Sequence, residues 1–327
     1  MRENPFKPAY TLANRHLQTL YPAFFSKTKY FEVELEIFEL PDGDFVECIW
    51  HNKPRKDSHK PIVTLFHGLA GGFNSPYIQR VMLALEKENL SVVLMHFRGC
   101  GKEMNTLPRS YHSGETEDAK AWFRELKTRY PSNPLFAIGY SLGGNMLLKL
   151  LGEVGNDSLL EACISVSAPM QLEISADKMD TGFSKLYQHH LMKNLKRDLL
   201  KKYKMHDMQS IIGLSENDVQ KLNSFWEFDD AYTAPLHGFN SAKDYYEKSS
   251  SKQFLKDIKT NTLIIHAHDD PFMTPEILPN ENELSTSVKL EVYPNGGHVG
   301  FVGGTLFKPH YWLEERIVNY FCYNATN

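Results

Sequence analysis

A serine, an aspartate and a histidine, each just beyond an apolar run, are the residues of this chain whose types and spacing can do chemistry. The serine stands in Gly139-Tyr140-Ser141-Leu142-Gly143, which is entered from Leu135-Phe136-Ala137-Ile138 and left through Asn145-Met146-Leu147-Leu148-Lys149-Leu150-Leu151. That is a strand, a tight glycine-flanked turn and a helix. At the apex of such a turn the backbone is strained and the hydroxyl stands clear at the helix N-terminus. The bare GxSxG string says little; the strand before it and the helix after it make it a nucleophile elbow.

A serine hydroxyl is a poor nucleophile near neutrality. It needs an imidazole to take its proton, and an acid to hold the imidazole's tautomer and stabilise the imidazolium. Behind an elbow of this kind the chain order is serine, acid, histidine, with the acid after a late strand and the histidine after the last one. Run 262–267 leads into His268-Asp269-Asp270-Pro271-Phe272-Met273, and run 288–293 into Pro294-Asn295-Gly296-Gly297-His298-Val299-Gly300-Phe301. Asp270 and His298 fill the two slots. Asp270 is taken over Asp269 because it immediately precedes the loop leading away from the strand; Asp269 is the alternative, or a hydrogen-bonding partner within the turn. The developing oxyanion needs two backbone N–H donors, each worth about 3 kcal/mol in the transition state. Leu142, next to the serine, is one. Leu69, in His67-Gly68-Leu69-Ala70-Gly71-Gly72 after run 62–66, is expected to be the other.

Other readings compete. His266-Ala267-His268-Asp269-Asp270 has the His-x-His-x-Asp spacing of binuclear metal sites, with two histidines alternating on one strand face. Pro271 stands where a third histidine would continue that motif, so a metallohydrolase using His266 and His268 is the lesser alternative. A non-catalytic binding scaffold is the other, and it has no reason to keep a full set of serine, acid, histidine and oxyanion loops. No metal or other cofactor is expected. His16, His96 and His112 lie in polar or glycine-rich surroundings and border the site at most.

Holding these loops in register requires a framework. Phe31, Val33, Leu35 and Ile37 alternate with Glu32, Glu34 and Glu36, and Pro41-Asp42-Gly43-Asp44 turns the chain into Phe45-Val46-Glu47-Cys48-Ile49-Trp50, an antiparallel hairpin. Continuous apolar runs of the buried parallel kind follow at 62–66, 91–97, 135–138, 162–166, 262–267 and 288–293, most of them separated by helix-like stretches such as 77–87, 117–129 and 145–151; another, 311–321, ends the chain. Alternating βα units of this kind build an open, mostly parallel sheet covered on both faces, with ligands outside the carboxyl ends of its strands. The alternation breaks over 169–257, which reads as a helical cap inserted into a single 1–327 domain. Its lysine-rich piece 193–204 is expected to be a solvated face, with membrane docking by Lys196, Arg197, Lys201 and Lys202 as the rival.

The composition, 42% hydrophobic and 23% charged, is that of a globular protein. With 36 basic against 40 acidic residues the net charge is −4, so nothing overall attracts nucleic acid or an anionic membrane. Cys48, Cys100, Cys163 and Cys322 have no zinc-ligand spacing and read as reduced thiols. Met1-Arg2-Glu3-Asn4-Pro5-Phe6-Lys7-Pro8 lacks the apolar stretch of a signal peptide, and no apolar run approaches about 18 residues. A cytoplasmic protein without stable membrane insertion is expected.

Read together, the motifs resemble the α/β-hydrolase superfamily, and within it the YheT-like subfamily of carboxylesterases. The marks are Asn14-Arg15-His16-Leu17-Gln18-Thr19, Leu40-Pro41-Asp42-Gly43-Asp44, Phe66-His67-Gly68-Leu69, His96-Phe97-Arg98-Gly99-Cys100, Tyr111-His112-Ser113-Gly114-Glu115-Thr116-Glu117-Asp118, Gly139-Tyr140-Ser141-Leu142-Gly143-Gly144, Asp269-Asp270-Pro271-Phe272-Met273 and Gly296-Gly297-His298-Val299-Gly300-Phe301. The resemblance spans nearly the whole chain. It implies an α/β-hydrolase fold with a sheet of about eight strands, a Ser141-Asp270-His298 triad, and hydrolysis of small-molecule carboxylic esters, short-chain acyl esters or acylglycerols, through an acyl-enzyme. Some eukaryotic relatives carry an N-terminal membrane anchor; its absence here is the expectation for the soluble bacterial type.

Overall fold

The computed structural model describes residues 5–26, 30–55 and 57–326, so Met1 to Asn4 of the N-terminal segment discussed above lie outside the described residues. Eight strands, β1 (Glu34–Glu39), β2 (Phe45–His51), β3 (Ile62–Phe66), β4 (Ser91–Met95), β5 (Leu135–Tyr140), β6 (Ala162–Val166), β7 (Asn261–Ala267) and β8 (Val288–Tyr293), form one sheet in the order β1-β2-β4-β3-β5-β6-β7-β8. β2 runs antiparallel to both β1 and β4; every other pairing is parallel. The central strands β3 to β6 are buried at every position, as their unbroken apolar runs require of a sheet covered on both faces.

Helix α1 (Arg15–Phe25) precedes the sheet; α2 (Pro76–Lys87), α3 (Glu117–Arg129) and α4 (Leu142–Val154) follow β3, β4 and β5. Between β6 and β7 come α5 (Leu172–Met179), α6 (Ser184–Met205), α7 (Met208–Ile212), α8 (Glu216–Val219), α9 (Phe225–Phe228), a π-helical turn (Asp229–Thr233), α10 (Ala234–Leu236) and α11 (Ala242–Ser249), and no strand among the described residues. A short hairpin, β9 (Val302–Gly304) with β10 (Pro309–Tyr311), leads into the last helix, α12 (Trp312–Thr326). One face of the sheet is covered by α3 and α4, with Trp122, Phe123, Leu147 and Leu148 in its core; the other by α2 and α12, with Ile78, Val81, Trp312 and Ile317.

β1 and β2 form the expected antiparallel hairpin, and the structure adds which face of β1 is covered: Leu35 and Ile37 are 53% and 51% exposed, while Phe38 is buried. The covered face carries Glu36, because β1 is an edge strand lying beneath α3. There Arg129 and Lys53 neutralise Glu36, and the Trp50 Nε1–H donates to it at 2.8 Å. One expectation changes: the lysine-rich stretch of α6 is not uniformly solvated. Lys202 is buried, its ammonium donating to the Asn105 carbonyl (2.9 Å), Asn105 Oδ1 (2.7 Å) and the Leu107 carbonyl (2.5 Å), and Lys196 donates to the Leu222 carbonyl at 2.9 Å. Among the described residues no helix is long and apolar enough to cross a membrane.

Candidate active site

Strand β5 delivers Ser141 to the carboxyl edge of the sheet with φ 51° and ψ −119°, a conformation L-residues rarely adopt. Holding it there demands close packing of strand against helix. A Cβ at Gly139 would lie 2.3 Å from the Gly143 carbonyl oxygen, and one at Gly143 would lie 2.6 Å from that of Phe66, so both flanking positions must be glycine. Ser141 N–H donates to the Val166 carbonyl at 2.8 Å, pinning the elbow to the end of β6.

The structure brings the three sequence-selected side chains into one line. Ser141 Oγ lies 3.0 Å from His298 Nε2, and His298 Nδ1 lies 2.8 Å from Asp270 Oδ2. With Nδ1–H donating to the buried carboxylate, Nε2 is left to accept the serine proton. Asp270 Oδ1 also accepts the Phe272 N–H at 2.8 Å, fixing the carboxylate plane. Asp269 turns away from the imidazole. It accepts the Gly297 N–H at 2.9 Å and so ties the acid turn to the histidine loop, and burial raises its pKa.

The loop after β3 is held by two tyrosines. Tyr77 Oη accepts the Gly68 N–H at 3.0 Å and Tyr111 Oη the Ala70 N–H at 2.9 Å. Between them, the Leu69 N–H has no acceptor among the described residues, and neither has that of Leu142. His67 is buried; its Nδ1–H donates to the Gly68 carbonyl (2.7 Å) and its Nε2 accepts the Phe97 N–H (3.3 Å), so it braces the loop. Burial, reinforced by nearby His96, holds its pKa down at about 3.

Several supports carried no local signal in the sequence. Thr19 Oγ1 on α1 accepts the His298 N–H at 2.9 Å, and Gln18 clasps the same loop farther on, donating to the Val302 carbonyl at 2.9 Å and accepting its N–H at 2.7 Å. Phe272 stacks on the His298 ring, centroids 4.0 Å apart and planes 7° from parallel. His16 reaches the far side of this stack through Tyr187, its Nδ1 being 3.1 Å from the Tyr187 hydroxyl, whose ring packs 4.9 Å from that of Phe272. Arg98 is buried in a bidentate pair with Asp118 (2.6 and 2.7 Å), and its Nη1 meets Asp42 (2.8 Å) and Asp44 (3.0 Å). Three motif segments therefore converge on one guanidinium. The only signal for these roles was the clustering of specific residues with no chemistry of their own.

His266 and His268 are not brought to a common ligand set. His266 is buried, with its pKa lowered by burial to about 4; His268 is exposed. Among the described residues one trio of ligand-type side chains lies together, His112, Glu115 and His237, with atoms within 4.8 Å. Two of its members are already engaged: His112 Nδ1 accepts the Gly114 N–H at 3.2 Å, which leaves the proton on the nitrogen facing Glu115, and Arg109 holds the Glu115 carboxylate.

Above Ser141 opens a cavity of about 440 Å³, a size typical of small-molecule sites. Leu69, Leu142, Tyr77 and His298 line its base; Leu172, Met179, Leu195, Leu199 and Phe228, all from the segment between β6 and β7, line its roof. Thr19, Pro22 and Ala23 of α1 form part of its wall.

Comparison with known proteins agrees with this architecture. A family model described as alpha/beta hydrolase fold matches residues 61–305. The chain is 43% identical over 312 residues, 95% of its length and 91% of the other's, to the Escherichia coli K12 protein named "Putative esterase YheT". It is 27% identical over 256 residues, 76% of its length and 56% of the other's, to the monoacylglycerol lipase of Saccharomyces cerevisiae. Among solved structures, the Pyrococcus furiosus esterase Pf2001 shares 17% identity with a TM-score of 0.57, covering 90% of this chain and 91% of that one.

Proposed function

The chain belongs to the alpha/beta hydrolase fold family, and from that premise we propose that it is a serine carboxylesterase acting through an acyl-enzyme, with Ser141 as nucleophile, His298 as general base and Asp270 as the orienting acid. The observation that carries this reading is the unbroken hydrogen-bonded line from Ser141 Oγ through the imidazole to the buried Asp270 carboxylate. Membership of an esterase- and lipase-type branch is supported by the names of its relatives.

In this mechanism Ser141 Oγ attacks the ester carbonyl as its proton passes to His298 Nε2. The oxyanion is held by the Leu69 and Leu142 N–H groups, neither of which has an acceptor among the described residues. The imidazolium, stabilised by Asp270, returns the proton to the departing alkoxide, leaving Ser141 acylated. Water then gives a proton to His298, attacks the acyl carbonyl, and releases the acid with Ser141 restored.

The segment over 169–257 acts as the cap that shapes the acyl site. Its leucines and aromatics offer an apolar roof, which suits short acyl chains or acylglycerols, the latter also being the substrate named for the yeast relative. A fluorophosphonate probe should label the wild-type protein once, with a molar equivalent bound, and Ser141→Ala should take up none. Undiminished labelling of Ser141→Ala would overturn the assignment.

A further inference from the structure

Helix α1 is built with its apolar stripe on the wrong side for a core helix. Leu17, Leu20, Tyr21, Phe24 and Phe25 recur at i, i+3, i+4, i+7 and i+8, the spacing by which a helix normally buries one face. Here the protein holds the neighbouring face, through buried Gln18 and Pro22, while at the end of the stripe Phe24 and Phe25 stand 72% and 70% exposed. The stripe continues onto the β9–β10 hairpin. Tyr21 stacks on Phe25 (5.4 Å) and donates its hydroxyl to the Leu306 carbonyl (2.7 Å), and next to Leu306 the tip residue Phe307 is 95% exposed. Tyr10 is exposed just before α1, and Leu186 on α6 beyond His16.

The charge around this patch is one-sided. Among the described residues of 5–31 the charged side chains are Lys7 and Arg15, and in 295–313 the one is Lys308; neither stretch contributes an acid, in a chain whose net charge is −4. Of the acids that follow, Glu314 is paired with Arg80 and Glu315 with His310. Exposed aromatic rings flanked by exposed Lys7, Arg15 and Lys308 match an anionic lipid surface, where the rings enter the headgroup–acyl boundary and the cations meet phosphate. We propose that α1 and the β9–β10 tip form a peripheral docking surface for anionic membranes. Since Thr19, Pro22 and Ala23 of the same helix line the cavity, docking there sets that wall of the cavity beside the lipid. The inference goes beyond ester hydrolysis and does not depend on it.

Flotation with phosphatidylcholine vesicles, with and without phosphatidylglycerol, tests it, using both wild type and Ser141→Ala so that binding is read apart from catalysis. Both proteins should float with the anionic vesicles, at least about tenfold more weakly with phosphatidylcholine alone, and less as salt rises. Each ring should contribute about tenfold, so Phe24→Ser/Phe25→Ser/Phe307→Ser should bind at least about a hundredfold more weakly while hydrolysing soluble nitrophenyl acetate like the wild type. Lys308→Glu, which leaves the rings intact, should weaken binding to anionic vesicles only. Wild-type protein that stays with the buffer, or that floats no better than the triple variant, would overturn the proposal. So would sedimentation velocity showing a wild-type dimer that the triple variant loses, because a second copy would then be what covers the face.

Discussion

Replacing Thr19 by valine asks whether α1 positions the His298 imidazole for its proposed role or merely covers it. The change conserves shape and deletes one oxygen, which accepts the His298 N–H at 2.9 Å and donates to the Arg15 carbonyl at 2.9 Å. Leaving a part-buried N–H unpaired costs about 1–3 kcal/mol. The loop can relieve that only by moving, and it has little room: a Cβ at Gly297 would already lie 2.6 Å from the Arg15 carbonyl oxygen and 2.8 Å from Gln18 Cβ. Any shift that brings water to the N–H therefore moves the ring relative to Ser141. A misplacement of about 1 Å is worth up to ~100-fold in rate, so kcat should fall about 10- to 100-fold, or about 1.4–2.7 kcal/mol. KM should stay within about twofold, since a methyl replaces a hydroxyl in the cavity wall. Steady-state hydrolysis of nitrophenyl butyrate reads both constants, and the rate of fluorophosphonate labelling should fall in parallel while its final stoichiometry holds. Thr19→Ser should restore kcat. A Thr19→Val protein with a lowered Tm but a wild-type kcat would refute positioning and leave α1 a cover.

Four further outcomes are expected. Tyr77→Phe removes the acceptor of the Gly68 N–H and should lower kcat about tenfold by loosening the neighbouring Leu69 donor, with little change in KM; an unchanged kcat would argue against Leu69. Asp270→Asn should cost on the order of 10⁴ in kcat by favouring the wrong imidazole tautomer, whereas Asp269→Asn, which only weakens the Gly297 tether, should cost about tenfold; the reverse ranking would exchange their roles. Leu195→Trp, narrowing the cavity roof, should raise KM for octanoate esters several-fold while sparing acetate, and equal effects on both would put the acyl chain elsewhere. Burial raises the Asp229 pKa from 3.8 to about 6. Between those values the folded state holds the extra proton, so stability falls as pH rises through that window and the whole penalty, about 3 kcal/mol, stands at pH 7. Asp229→Asn should therefore raise Tm at pH 7 and gain nothing near pH 4, and a gap independent of pH would contradict the shift.

The central strands, the elbow and the loops bearing Asp270 and His298 were legible because each is declared by neighbours in the chain. An apolar run of five residues such as Ile62–Phe66 has few uses other than a strand buried on both sides. A serine between Gly139 and Gly143 sits at φ 51° only because those glycines let helix and strand close to distances no Cβ tolerates. The face of β1 was not legible. Period 2 states that two faces differ, but which one is covered was decided by Arg129 and Trp122 arriving from α3 in another part of the chain. Lys202 failed for a related reason: a lysine run looks solvated until carbonyls at Asn105 and Leu107, roughly a hundred residues away, converge on one of its members.

The supports of the site were illegible for a deeper physical reason. What a catalytic loop most needs from the rest of the protein is acceptors for its own backbone N–H groups, and any hydroxyl or carboxylate of the right reach supplies one. Thr19 for His298, Tyr77 for Gly68, Tyr111 for Ala70 and Asp269 for Gly297 are four residues of three types doing the same work. Their chemistry therefore cannot be recognised by type, nor their partners by spacing. What the sequence does offer is indirect. Segments such as Asn14 to Thr19 and Tyr111 to Asp118 are crowded with polar side chains that no reaction step consumes, and a polar residue that neither reacts nor faces solvent must be paired inside. In this fold the pairings lead to the histidine loop, the loop after β3 and the Arg98 cluster beside the cavity, so the unexplained motif residues mark out the structure on which the geometry of Ser141 and His298 depends.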